Sequence, residues 1–330
     1  KSELKVDDIH NIDSLADSFF KDISTRDLRT DYAEREFEME YVRKSSVLVS
    51  IKNNCPLFEE GGKGHGRLES LKHLVHHFCE HNKIKDFKFL AVINDGTRTN
   101  VPALAPTTNF SNSNFNNNIP IPLGHTARTK NLDMNLSIKG WDNRVKESPI
   151  GDHEKFPWED KLNKAVFRGT LHPCTHPTSP RELLYRTCEG DSFFDVGFHR
   201  VFRSERFKFD GIPVSEGIPF NEQQKYKFII AVASNFWDER IRLQLLSNSV
   251  TVWAKTDCEE WYCPLLKPYE HYIPTDIPFT NLKTNINKYI NDDDACRRIV
   301  CNANNFAKKY INEKVMHYFF AKILTRLSKL

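Results

Sequence analysis

Between Lys225 and Val252 the hydrophobic pattern changes twice, in KYKFIIAVASNFWDERIRLQLLSNSVTV. Phe228 to Val232 is an unbroken apolar run, the pattern of a strand covered on both faces. Ser234 and Asn235 supply turn and cap residues. From Asp238 the period becomes helical: Ile241, Leu243, Leu245 and Leu246 are spaced for one helix face, with Arg240 and Arg242 beside them. Asn248-Ser249 ends that helix, and Val250 to Trp253 is a second apolar run. The spacing predicts a βαβ unit, and such units bind ligands at the carboxyl end of the strand. A helix N-terminus there offers N–H groups to an anion, and Arg240 adds a guanidinium fork for phosphate. The same pattern also fits a plain βαβ unit with solvated arginines.

The rest of the chain sorts in the same way. Residues 1–44 carry helical spacing (Ile12, Leu15, Phe19, Phe20, Ile23) and an amphipathic stretch from Tyr32 to Arg43, predicting two outer helices. Ser46 to Ile51 and Phe87 to Ile93 read as strands. Between them Asn54 to Gly66 reads as a loop, and Leu68 to Asn82 as a helix with Leu71, Leu74, Val75 and Phe78 on one face. Thr97 to Thr129 is rich in Pro, Asn and Thr and lacks period, which predicts a long loop over a cleft. Trp141 to Asp160 reads as an interdomain linker. Lys164 to Thr170 is a strand, followed by a helix capped by Ser179 with Pro180 at its first position. Asp191 to Val196 is a short strand, and three amphipathic helices close the chain from Thr280 onward.

Composition narrows the class. With 330 residues, 39% hydrophobic and 28% charged, the chain is long enough for about two globular domains. A net charge of +3 is too near balance to argue for a nucleic-acid partner. No apolar stretch reaches transmembrane length. Lys1 at the start leaves room for a removed leader, so the expected compartment is the cytoplasm, or a secretory lumen if a leader was cleaved. Eight cysteines, none in a C-x-x-C pair, point to free thiols and away from zinc, with Cys258 and Cys263 a possible bridge.

Three patterns carry candidate chemistry. The glycines from Gly61 to Gly66 match neither a P-loop nor a dinucleotide fingerprint, and read as a loop at the lip of a cleft. His73, His76, His77 and His81 lie on one helix without an HExxH carboxylate, and read as solvated histidines. Asp95 stands at the carboxyl tip of the Phe87–Ile93 strand, where α/β folds place their chemistry, although Asp-Gly is also an ordinary turn. No metal site is predicted.

AVFRGT (165–170), KYKF (225–228), the Arg240 helix with NSVTV (248–252), EEWYCPLLKPYEHYIP (259–274) and DDDACRRIVCNANNFAKKYI (292–311) occur in an order that resembles glycosyltransferase family 90. The resemblance runs over about residues 45–330. It implies an α/β fold of GT-B type, with two Rossmann-like domains across a cleft. These fall on residues 1–145, joined by the returning helix 312–330, and on residues 146–311. It implies inverting, metal-independent transfer of xylose or glucose from UDP-xylose or UDP-glucose to a glycan or protein hydroxyl, with no cofactor required. Asp95 then falls on the catalytic base. Arg168, Gly169, Thr170, Ser234, Asp238 and Arg240 fall on the donor side, and Pro122 and His125 near the sugar and acceptor. A non-catalytic sugar- or nucleotide-binding module that kept the fold is the alternative. Two departures stand out. Asp95-Gly96-Thr97 replaces the family's Asp-x-Pro, and Asp238-Glu239-Arg240 replaces Ser-Phe-Arg or Ser-Tyr-Arg. Two acids beside a diphosphate repel it unless they cap a helix or point away.

Overall fold

A computed structural model describes residues 6–21, 31–61, 66–94, 99, 101–109, 118–124, 136–174, 177–234 and 236–329. Asp95, His125 and Asn235 lie outside these residues. The described residues build two five-stranded sheets and a two-stranded ladder.

The first sheet has the order β2-β1-β3-β4-β6, from Cys55–Glu60, Ser46–Lys52, Phe87–Val92, Ala103–Ala105 and Asn118–Pro120. Here β1 runs antiparallel to both β2 and β3, while β3, β4 and β6 are parallel. The sheet is therefore mixed and not uniformly parallel. In β1 successive side chains serve opposite faces: Val47, Val49 and Ile51 enter one core, and Leu48 another. The first core is closed by α4 (Leu68–His81) through Leu71, Leu74 and Phe78. The second is closed by α2 (Tyr32–Glu38) and α3 (Glu40–Arg43) through Ala33, Phe37 and Val42.

Two sequence expectations are corrected here. Residues 54–66 do not form only a loop, because β2 pairs with β1 across a two-residue turn, Lys52 opposite Cys55. Asn53 and Asn54 take φ of 50° and 63°, the left-handed pair that a tight hairpin needs and that asparagine tolerates. The 97–129 stretch holds β4, β6 and the two-residue strand β5 (Thr108–Asn109). The 141–160 stretch contains α5 (Trp141–Glu147), whose Trp141 ring N–H donates to the Ile311 carbonyl at 2.8 Å.

The second sheet has the order β12-β10-β9-β7-β8, from Ile273–Thr275, Val250–Ala254, Tyr226–Val232, Leu162–Leu171 and Phe194–Val201, and every pair is parallel. In chain order this is a 2-1-3-4-5 doubly wound sheet. The winding reverses between β7 and β9, and the carboxyl ends of those two strands form the switch-point crevice. The core residues Phe167, Phe228, Ile230 and Val252 pack under α6 (Pro180–Cys188), α8 (Leu282–Asn287) and α9 (Asp293–Tyr310). Asp292 and Asn312 cap α9 and α10 (Glu313–Leu327) by accepting from Ala295 and Val315. α10 returns to the first sheet, packing on α4 and on α1 (Val6–Ser18).

The helix after β9 is shorter than the pattern predicts. α7 spans only Ile241–Gln244, and Ser247 to Ser249 form the turn into β10. A single turn carries little macrodipole, so α7 offers an anion little of the N-terminal charge that the pattern predicts. The halves are also tied by backbone: β11 (Cys258–Glu259) pairs with β5, Cys258 opposite Asn109 and Glu259 opposite Thr108. Cys55, Cys79, Cys188, Cys263, Cys296 and Cys301 are free thiols.

Candidate functional site

The switch-point crevice is built around Phe167, whose aromatic ring centroid lies 5.1 Å from the Arg240 guanidinium and 5.5 Å from that of Arg181. Arg240 is buried, not turned to solvent. Its Nε and Nη2 hold both carboxylate oxygens of Asp238, at 2.9 and 2.7 Å, and its Nη1 donates to the Arg168 carbonyl at 2.8 Å. That last bond fixes the turn after β9 onto the end of β7. Burial is the strongest influence on the Asp238 carboxyl and raises it, but the Arg240 charge, the hydrogen bonds from Arg240 and the Arg181 charge together hold the group below the usual carboxylate range. Asp238 thus acts as the counter-charge of Arg240.

Arg168 faces the other way. It donates to Asp195 through Nη2 at 2.6 Å and to the Glu216 carbonyl through Nε at 3.1 Å. Its fork thereby fixes β8 and the 215–216 segment beside β7. Gly169 has a steric reason: a Cβ there would meet the Phe167 ring at 2.9 Å and Arg181 Nη1 at 3.6 Å. The Thr170 hydroxyl lies 3.2 Å from His199 Nε2. Burial, then the charges of Arg200, Arg240 and Arg181, push the His199 pKa down. Ser234 follows β9, half-buried, at the mouth of the crevice.

Arg181, in the first turn of α6, is the residue that sequence reasoning missed. Its Nη1 donates to the Thr170 carbonyl at 2.7 Å, and its Nε and Nη2 reach the Val232 carbonyl at 3.4 and 3.3 Å. It therefore spans the carboxyl ends of both switch-point strands. Among the described residues no carboxylate lies within ion-pair distance of it. Burial and then the Arg240 charge bring its pKa down to about 9, partly offset by Asp238. The signal was present: a cation in the first turn of a helix opposes the helix dipole, so it needs a local reason.

Below α7, Arg242 and Glu260 form a fully buried ion pair, Nε to Oε2 at 2.6 Å, and Arg242 Nη2 donates to the Leu123 carbonyl at 2.7 Å. This bond ties the 121–124 segment, and Pro122 with it, to α7. Burial pushes the Glu260 carboxyl up to about 7 despite Arg242. A small cavity of about 10 Å³ lies between Trp237, Asp238, Trp253, Thr256 and Glu260. A larger one, about 610 Å³, lies elsewhere, between Asn11, the 264–271 segment and α9. Among the described residues no three His, Cys, Asp or Glu side chains converge as a metal site, and no helix is long and apolar enough to cross a membrane.

The family model described as glycosyl transferase family 90 matches residues 76–330. The chain is 26% identical to the O-glucosyltransferase rumi homolog of Aedes aegypti over 198 residues, 58% of this chain and 47% of the relative. It is 22% identical to human protein O-glucosyltransferase 1 over 196 residues, 57% and 47% of the two lengths. An uncharacterized protein, 035R, of Invertebrate iridescent virus 3 is 26% identical over 318 residues, 84% of this chain and 28% of that one. The chain thus spans about half or less of the curated relatives it matches. Among solved structures, HepE of Anabaena in complex with UDP-glucose aligns at TM-score 0.36 and 16% identity, covering 56% of this chain and 54% of its own.

Proposed function

The chain belongs to glycosyl transferase family 90, and we propose that it moves glucose or xylose from a UDP-sugar to a hydroxyl of a glycan or protein acceptor. One observation carries this reading. The crevice between β7 and β9 holds Arg181 and Arg240 against the single carboxylate of Asp238, leaving an uncompensated buried positive charge where a doubly wound sheet binds its ligand. A diphosphate supplies the missing negative charge. As the sugar's bond to UDP breaks, charge grows on the departing diphosphate, and a guanidinium already fixed by two strand carbonyls stabilises it without reorganising. Arg181 does this directly. Arg240 shares its fork with Asp238 and offers the weaker contact.

An acceptor hydroxyl is a poor nucleophile at neutral pH. In this reading Asp95 takes its proton as the new bond forms, on the face opposite UDP, giving a β-linkage from an α-linked donor. Pro122, His125 and Ser234 flank the sugar, and a GT-B arrangement of two domains belongs to the same proposal. The guanidiniums carry the charge stabilisation here, so chelation with EDTA is expected to leave the rate unchanged. The relatives named O-glucosyltransferases make UDP-glucose the first donor to try. Xylose differs by one CH₂OH, a discrimination of about 1–3 kcal/mol.

The test is a panel of UDP-sugars read by thermal stabilisation and by UDP release. Asp95→Asn is expected to keep UDP binding and to lose about 10²–10⁴-fold in rate; unchanged turnover removes Asp95 from the role. UDP binding without turnover on any donor favours the second reading, a non-catalytic nucleotide-sugar module.

A further inference from the structure

The acids that replace the family's Ser-Phe beside Arg240 do not face a diphosphate unopposed. Asp238 is bound to Arg240. Glu239 Oε2 accepts from Nη2 of Arg67 at 3.1 Å, and Arg67 comes from the other half of the molecule. Arg67 immediately precedes α4, is buried, and lies 4.8 Å from the Trp237 ring centroid. Its second arm, Nη1, donates to the Ile93 carbonyl at 3.2 Å. One planar guanidinium therefore grips the end of β3 and the turn that carries Arg240. Ile93 is also fixed through its own N–H, which donates to the Ser45 carbonyl at 3.0 Å. In sequence, Asp95 follows Ile93 by two residues.

A cation at the start of a helix opposes the dipole, and a buried one needs partners, so this position is expensive unless both arms are used. Both are. The geometry also explains why glutamate is tolerated at 239: its charge is spent on Arg67, away from the crevice. Arg242 and Glu260 continue the same chain of charges, because both Glu239 and Arg67 act on the Glu260 carboxyl.

We propose that Arg67 is a positioning residue for transfer: by holding the Ile93 carbonyl and Glu239 together, it sets the distance between the strand end that leads to Asp95 and the turn that bears Arg240. This rests on the transfer reading above. A fork with two bonds at fixed angles defines that distance, while a lysine keeps the charge and loses one arm.

The experiment compares Arg67→Gln, Arg67→Lys, Glu239→Gln and the Arg67→Gln/Glu239→Gln double variant with wild type. It measures kcat and KM for UDP-glucose transfer or hydrolysis, UDP affinity by calorimetry, and melting temperature. Each single Gln variant is expected to lower kcat by about tenfold to a hundredfold, as small misplacements of reacting groups do. UDP affinity is expected to change by less than about threefold, the signature of lost positioning and not of lost binding. Arg67→Lys should recover part of the rate, and the double variant should be no slower than the slower single one. Should Arg67→Gln fail to fold, the Lys and charge-neutral double variants still decide. Wild-type kcat in the single variants, or losses that multiply in the double, overturns the proposal while leaving sugar transfer intact. A wild-type protein that neither binds UDP nor turns over any UDP-sugar overturns the transfer reading, and this one with it.

Discussion

Each guanidinium at the crevice satisfies its charge differently, and the difference predicts what each does. Arg168 is neutralised by Asp195, and Arg240 by Asp238, so both hold the backbone in shape. Among the described residues Arg181 has no carboxylate in ion-pair contact and donates its hydrogen bonds to carbonyl oxygens, which makes its charge available to an incoming anion. Arg181→Gln keeps hydrogen-bonding capacity to Thr170 and removes the charge. It is expected to weaken UDP binding by about tenfold or more, since a hydrogen bond to a charged group is worth about 1.5–3 kcal/mol. Calorimetry with UDP measures this, and an affinity equal to wild type would move the diphosphate elsewhere. The sequence singles out Arg168 through the resemblance carried by AVFRGT, and Arg240 through its place in the βαβ pattern after β9. It does not single out Arg181, because the role of that residue depends on α6 folding back over both strand ends, a contact that local pattern does not encode.

At the scale of elements, long periodic segments were read well and short ones poorly. β9, β10, α4, α9 and α10 fall where apolar spacing placed them. β2 was hidden because it is an edge strand with polar and exposed positions, and Leu57 lies 59% exposed. α7 was overread because Leu245 and Leu246 continue the apolar spacing into a turn. The histidines of α4 gave a further surprise. They are not simply solvated, since His317 of α10 stacks on His77 with centroids 3.8 Å apart and planes 5° apart. His81 also stacks on His77, with centroids 4.2 Å apart, and His73 Nε2 lies 3.1 Å from His317 Nε2. Burial, then His77, His73 and His81, push His317 down to about 4. Glu80 and Glu313 favour protonation in this column and Lys139 opposes it. The folded pKa lies below the ordinary value of about 6.5, so the unfolded chain binds the proton first. This contribution is whole above about pH 6.5 and is lost as pH falls toward 4. Melting temperature is expected to drop across that window, and His317→Gln to flatten the drop. Equal slopes in both proteins would show that the column does not govern acid sensitivity.

For the molecule as a whole, the individual strands and helices of both sheets are announced by apolar runs, whereas their division into two units and the return of the last helix were implied by the family resemblance. The mixed direction of the first sheet was not legible, because apolar period reports burial and not strand polarity. A single apolar cluster joins the halves. It runs from α4 through Phe319 and Phe320 of α10 to Trp261 and to Leu245 beside α7. Phe319 stacks on Trp261 at 4.6 Å. Phe319→Ala is therefore expected to cost about 3–5 kcal/mol, the range for emptying an aromatic site in a close-packed interior. Denaturant unfolding of that variant should still show one transition at a lower midpoint. Two separated transitions would mean that the halves fold independently.

The short ladder between β5 and β11 has a kinetic consequence. Thr108 and Cys258 belong to opposite halves, yet their strands share backbone hydrogen bonds. A jaw-like gape around a hinge would have to unzip that ladder. Under the proposed transfer, donor entry and UDP departure would then fall to side-chain and loop rearrangement at the rim and not to a motion of one half against the other.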